Sequence, residues 1–175
     1  MGEERAAELL ARLATDPEAV QSSEVYQLTE EYLDGYPLET LRPFLSSTNE
    51  WVQRAVAAIV SELGSAAAPL AEDVIPLVDS GNVRVRFDAL EVFLVCGHGA
   101  KAHLFSYVLR ALREQHPGLR LSVMELVSRA LPEQIVEGAS ALLSRGEVSA
   151  DRARILRAMG EDKLGRDEVL GLVHS

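Results

Sequence analysis

Leu41-Arg42-Pro43-Phe44-Leu45-Ser46-Ser47-Thr48-Asn49 returns 33 residues later as Val74-Ile75-Pro76-Leu77-Val78-Asp79-Ser80-Gly81-Asn82. The match runs on. Val52 meets Val85, Val56 meets Ala89, Ile59 meets Val92, Leu63 meets Cys96 and Gly64 meets Gly97, all at the same offset. So long a correspondence at one spacing is a repeat. Fixed periods of about 20–50 residues mark stacked supersecondary units, none of which can bury its apolar face alone. Leu119, Val123 and Leu126 form a looser copy at an offset of 34. Ala153 and Leu156 carry a fainter one, and Val25 and Tyr32 an upstream one with a shorter connection.

Each unit reads as two helices. The longer places apolar residues at helical spacing, Val52-Val56-Ile59-Leu63 and then Val85-Ala89-Val92-Cys96. Asn49 and Asn82 stand at N-cap positions, and Gly64 and Gly97 at C-cap positions, where a positive φ costs glycine little. The shorter helix carries Leu38, Leu41, Phe44 and Leu45, or Leu70, Val74, Leu77 and Val78. Pro43 and Pro76 fall inside it and are expected to kink it. The spacing predicts helices over 3–14, 22–34, 37–46, 49–63, 67–79, 82–96, 100–115, 119–130, 132–144, 150–159 and 166–173. No alternating strand pattern is present, and no stretch reads as an interdomain linker. The expectation is an all-α chain, a single solenoid domain over 1–175.

Composition fits that expectation. Aromatic residues make up 5% of the 175, while hydrophobic residues make up 47%, so the interior is built from small aliphatic side chains that suit close-packed helices. No apolar run reaches the length of a membrane span, and the N-terminus does not read as a secretory signal. One cysteine forms no intramolecular disulfide and suits a reducing cytoplasm. Net charge is −10 and unevenly spread. Residues 1–50 hold 11 acids and 3 bases, whereas residues 101–150 hold 5 acids and 6 bases. A charge-steered partner is therefore expected to be basic and to meet the N-terminal half, and non-specific nucleic-acid binding is not expected.

The segment Leu77-Val78-Asp79-Ser80-Gly81-Asn82, with Val85-Arg86-Phe87-Asp88-Ala89 and the following Cys96-Gly97, resembles a HEAT repeat. Residues 37–64 resemble the pattern through Pro43, Val52, Val56, Leu63 and Gly64, with Ser46 in place of the Asp and Gln53 in place of the Arg. Residues 100–130 keep only Leu119-Arg120, and the flanking units match by period alone. The resemblance implies an α-α superhelix of about five stacked helix pairs that binds other macromolecules, usually proteins. It also implies that Asp79, Arg86 and Arg120 tie the turns of adjacent repeats together.

In such a stack the second helices would line the concave side. Positions off the core stripe are then Glu24, Gln27, Glu30, Glu31 and Asp34, next Glu50, Gln53, Arg54, Ala57, Ser61 and Glu62, and next Arg84, Asp88 and Glu91. From these, Glu24, Gln27, Glu30, Glu31, Asp34, Glu50, Arg54, Asp88 and Glu91 are the expected partner-binding residues. Trp51 is expected to be buried, while Tyr26 and Tyr36 are candidate half-exposed anchors.

Chemistry is sparse. Cys96, His98 and His103 are the one Cys/His cluster, but Cys96 occupies a core position, so no metal and no cofactor are expected. No nucleophile elbow, phosphate loop or zinc-protease motif occurs, and no catalytic residue is assigned. The arginines of the C-terminal half alternate with acids, and Tyr107 is the one ring there suited to base stacking. Three functions follow as expectations. One is a monomeric, cytoplasmic, non-catalytic module of bacterial HEAT-like type that captures a basic protein in an acidic groove, in the manner of an inhibitor or immunity protein. A second is an adaptor or scaffold subunit, marked by a large apolar patch. A third is a HEAT-like enzyme acting on DNA bases or a small cofactor, marked by a pocket holding a perturbed carboxylate or Cys96.

Overall fold

The computed structural model describes residues 2–161, which are helical or connecting, with no strand among them. The helix expected over 166–173 lies outside the described residues. The chain forms two compact units, residues 1–92 and 93–175.

In the first unit, α1 (Gly2–Thr15) buries Ala6, Leu9, Leu10 and Leu13, one face at helical spacing. Then come α2 (Ser22–Leu33), the short α3 (Arg42–Leu45) and α4 (Glu50–Glu62), and the chain enters α5 (Val83–Cys96). Leu13 packs with Val52 and Ala55, and Val20, Val25 and Phe44 close over them. The repeat stripes Val52, Val56, Ile59 and Leu63, and Val85, Ala89, Val92 and Cys96, are all buried.

The two copies repeat their hydrogen bonds as well as their residues. Asn49 Oδ1 accepts from the Trp51 and Val52 amides at 2.9 and 3.3 Å, and Asn82 Oδ1 from the Arg84 and Val85 amides at 2.9 and 3.4 Å. Ser47 and Ser80 hydroxyls each accept from the amide two residues on, at 3.2 Å in both. Gln53 Nε2 donates to Ser47 O and Arg86 Nη1 to Ser80 O, each at 2.9 Å. Two bonds then join the copies. Ser80 Oγ donates to Gln53 Oε1 at 2.7 Å, and Asn82 Nδ2 donates to Glu50 Oε1 at 2.9 Å.

The prolines act differently from expectation. Pro43 stands in the first turn of α3, and Pro76 in the first turn of a 3-10 segment, Ile75–Asp79. Neither kinks an α-helix, because a proline in a first turn lacks only an N–H that has no helical acceptor. The helix expected over 67–79 is instead 3-10 helix and turns. Amides of Ala71, Asp73, Ile75, Leu77 and Ser80 each donate three residues back, at 2.9–3.3 Å. Pro69 and Pro76 deny the four-back ladder its donors and crowd its carbonyls. The expected helix over 37–46 likewise begins with a 3-10 segment, Leu38–Leu41.

In the second unit, 3-10 segments at Gly99–Leu104 and Ala111–Arg113 flank α6 (Phe105–Arg110), so the helix expected over 100–115 is also broken. It continues with α7 (Pro117–Arg129), α8 (Pro132–Ser144) and α9 (Ala150–Gly160), and α8 packs on α6 and α9. Gly64 ends its helix with φ +55° as expected, whereas Gly97 does not adopt positive φ. There a Cβ would stand 2.3 Å from the Phe93 carbonyl oxygen, and Gly99 makes the left-handed turn instead. Gly138 lets α8 approach α6 so closely that a Cβ would meet the Ser106 amide nitrogen at 2.9 Å. Buried Gln134 donates through Nε2 to the carbonyls of Leu94 and Gly97 at 2.8 and 2.9 Å, while its Oε1 accepts from the Leu131 amide. No described helix is long and apolar enough to cross a membrane.

Two substitutions test this packing in urea denaturation. Ile59→Ala, at a site of 0% exposure, is expected to cost about 2–5 kcal/mol of stability. Gly138→Ala is expected to cost about 1–3 kcal/mol through overpacking, so an unchanged midpoint would refute the close approach of α6 and α8.

Candidate functional site

A groove of about 410 Å³ lies in the first unit. On α2, Val25, Tyr26 and Thr29 share the face that lines it. On α4 it is lined by Trp51, Arg54, Ala55, Ala58 and Glu62, a stripe beside the core positions, and on α5 by Arg84 and Asp88, one turn apart. Small residues on α4 open the hollow, and large ones ring it. Tyr26 is 64% exposed and Trp51 44% exposed. The Arg54 guanidinium sits 5.2 Å from the Trp51 ring centroid, and that of Arg84 sits 5.5 Å from the Phe87 ring.

Asp88, expected on the surface, is buried, with 2% of its area exposed. Arg84 Nε stands 2.8 Å from its Oδ1 as an ion pair, yet Oδ1 receives no aligned hydrogen bond. Burial pushes the Asp88 carboxyl up to about 6; Arg84 opposes the shift, and Glu91 and Glu62 add to it. Ala57, also expected outside, is fully buried. Trp51, expected inside, forms the groove wall. Its position was legible as the stripe 51-54-58-62, which runs beside the core stripe without belonging to it.

A second hollow, of about 480 Å³, is lined by Arg5, Gln27, Glu30, Glu31, Leu33 and Asp34. It lies on another face of α2, because positions 27, 30, 31 and 34 point well away from 22, 25, 26 and 29. Arg5 Nη2 donates to Gln27 Oε1 at 3.4 Å. Among the described residues, the carboxylates of Glu30, Glu31 and Asp34 make no ion pair.

The expected binding residues therefore divide. Gln27, Glu30, Glu31 and Asp34 come together in the acidic hollow, whereas Arg54 and Asp88 line the aromatic groove. The remaining three are engaged within the fold. Glu24 pairs with Arg12 and caps α2, its Oε2 accepting from the Gln21 amide at 3.0 Å. That backbone bond, and then Arg12, hold its carboxyl below the ordinary value. Glu50 accepts from Asn82, and Glu91 Oε2 accepts from Ser61 Oγ at 3.1 Å. Tyr36 is half-buried and stacks edge-on to Tyr32, ring centroids 5.4 Å apart.

Elsewhere, Cys96 is buried and its thiol pushed up by that burial, while His98 and His103 are exposed. In the second unit both Arg110 and Arg145 set their guanidiniums 5.2 Å from the Tyr107 ring, and Phe93 lies 5.4 Å from it, so the ring is occupied by its own neighbours. Comparison with family models, with curated proteins and with solved structures finds no match to this chain.

The raised carboxyl of Asp88 has a thermodynamic consequence. Its folded pKa lies above the unfolded value, so stability is greater below about pH 4 and declines as pH rises through about 6. Asp88→Asn removes a charge-burial cost of about 3 kcal/mol. The variant is expected to exceed the parent in stability at pH 7 and to match it near pH 4, read by thermal melts at both values. A variant less stable at pH 7 would show that the Arg84 pair outweighs desolvation.

Proposed function

We propose that the chain is a HEAT-like α-solenoid of stacked helix pairs, a cytoplasmic, monomeric and non-catalytic module that captures a basic partner protein. The observation that carries this is the acidic hollow beside α1 and α2, where Glu30, Glu31 and Asp34 come together with Arg5, which pairs with Glu8, and among the described residues none of the three carboxylates is ion-paired. Carboxylates left unpaired on one face steer and select a positively charged surface. The concentration of net negative charge in residues 1–50 supports the same direction. An inhibitor or immunity-type protein is the most concrete form, because such a protein needs a charged face and no reaction. An adaptor or scaffold subunit would call for a broad apolar patch, and the exposed large apolar residues, such as Leu33, Leu121 and Leu131, are scattered along the chain.

One observation favours a second function. Asp88 lines a groove with two exposed aromatic rings, and a carboxyl near 6 can serve as a general acid or base at neutral pH. An enzyme acting on a DNA base or a small cofactor would use it so, and would lose turnover in Asp88→Asn.

The test of the binding function is a fluorescence anisotropy titration with a labelled lysine-rich peptide at several salt concentrations. The triple variant Glu30→Lys, Glu31→Lys, Asp34→Lys is expected to bind at least about tenfold more weakly at low salt and to show a flatter salt dependence. Its circular dichroism should be unchanged, since these side chains hold nothing in the fold. Equal affinity of parent and variant would remove the acidic hollow from the binding surface. Affinity capture with parent and triple variant in parallel, read by mass spectrometry, would then identify the partner as the protein lost with the variant.

A further inference from the structure

The aromatic groove holds one buried carboxylate that its own neighbours leave incompletely bonded. Its charged lining is Glu62 and Asp88 with Arg54 and Arg84. Arg84 Nε stands 2.8 Å from Asp88 Oδ1, and the Arg84 side chain is 71% exposed. Asp88 is thus a buried carboxylate at the wall of an open hollow, with an oxygen that no donor is aligned to. A buried acceptor in that condition costs stability in the free protein and is satisfied by a donor brought from outside. The Trp51 ring at the same hollow already carries Arg54, 5.2 Å from its centroid, while the exposed ring of Tyr26 offers a π face to a further cation.

We propose that this groove receives one arginine side chain of the basic partner, the guanidinium hydrogen-bonded to Asp88 and its plane against Tyr26, beside the Trp51 ring. The inference rests on the partner being basic, and it adds a specific slot to the diffuse attraction of the acidic hollow. A guanidinium fits better than an ammonium. It is planar, weakly hydrated and forked, so it can stack on a ring and still donate in line to a carboxylate. The incoming guanidinium supplies the aligned donor that Arg84 does not.

Trp51 is the one tryptophan of the chain, so its fluorescence reports occupancy directly. The experiment titrates the full chain with acetyl-arginine amide, and in parallel with acetyl-lysine amide at matched ionic strength. A saturable change with the arginine probe, at several-fold lower concentration than with lysine, is expected. Asp88→Asn should weaken it at least about tenfold while melting cooperatively. Tyr26→Ala, at an exposed position, should weaken it about threefold and leave the fold intact. No saturable change, equal response to lysine, or undiminished binding by folded Asp88→Asn would each overturn the slot. The Glu30→Lys, Glu31→Lys, Asp34→Lys variant separates this idea from its parent. Its arginine titration should match that of the unaltered chain, because those residues line a different face. If the triple variant still captures the lysine-rich peptide while the arginine titration succeeds, the acidic-hollow reading fails and the slot stands; the reverse pair of results removes the slot alone.

Discussion

Gln53 holds two turns at once. Its amide nitrogen donates to the Ser47 carbonyl within its own repeat, and its amide oxygen accepts from the Ser80 hydroxyl of the next. A side-chain amide has both a donor and an acceptor, so it can face both ways. Arg86, at the equivalent position, repeats the first of these bonds through its own guanidinium. This relay sets the register of α5 on α4. A slip of one residue would turn Val85, Ala89 and Val92 out of the core and carry Arg84 and Asp88 away from the groove. The groove therefore exists because a polar clasp at one end of the helices and an apolar stripe along them agree on the same alignment.

Within that frame the first unit sorts its charges by what they can reach. Carboxylates near a cap or a neighbouring turn are absorbed: Glu24 by the Gln21 amide and Arg12, Glu50 by Asn82, Glu91 by Ser61. Those facing the hollow beside α1 have, among the described residues, Arg5 as their neighbouring cation and form no ion pair. Asp88 falls between the two cases. It is deep enough to pay desolvation, yet its ion-pair partner Arg84 meets it at a poor angle. Buried carboxylates of this kind are more often kept for binding or chemistry than for stability, because an amide or an aliphatic residue would fold better in the same place.

The repeat, the helical class, the N-caps at Asn49 and Asn82 and nearly the whole core stripe were legible in the residues. Each depends on local periodicity or on a side chain bonding its own backbone, and such effects act over a few residues. The 3-10 character of 64–79 was less so, although Pro69 and Pro76 carried the signal: apolar spacing there suits a helix, and only the hydrogen-bond register distinguishes three-back from four-back. The acidic set on α2 is legible because Gln27, Glu30, Glu31 and Asp34 lie on one helical face. Asp88 and Trp51 take the opposite environment to the one their spacing suggests, since both sit at the edge of the apolar stripe, where a small rotation of the helix decides inside from outside.

What the sequence determined by itself is an all-helical chain with a 33-residue period and a negatively charged N-terminal part, because periodicity and charge are properties of residue order. Only the tertiary structure decided that the expected binding residues occupy two separate hollows and that three of them serve the fold. The reason is geometric. Which carboxylate meets an amide, an arginine or open solvent depends on how far one helix is turned against the next, and that angle is set by contacts between residues distant along the chain.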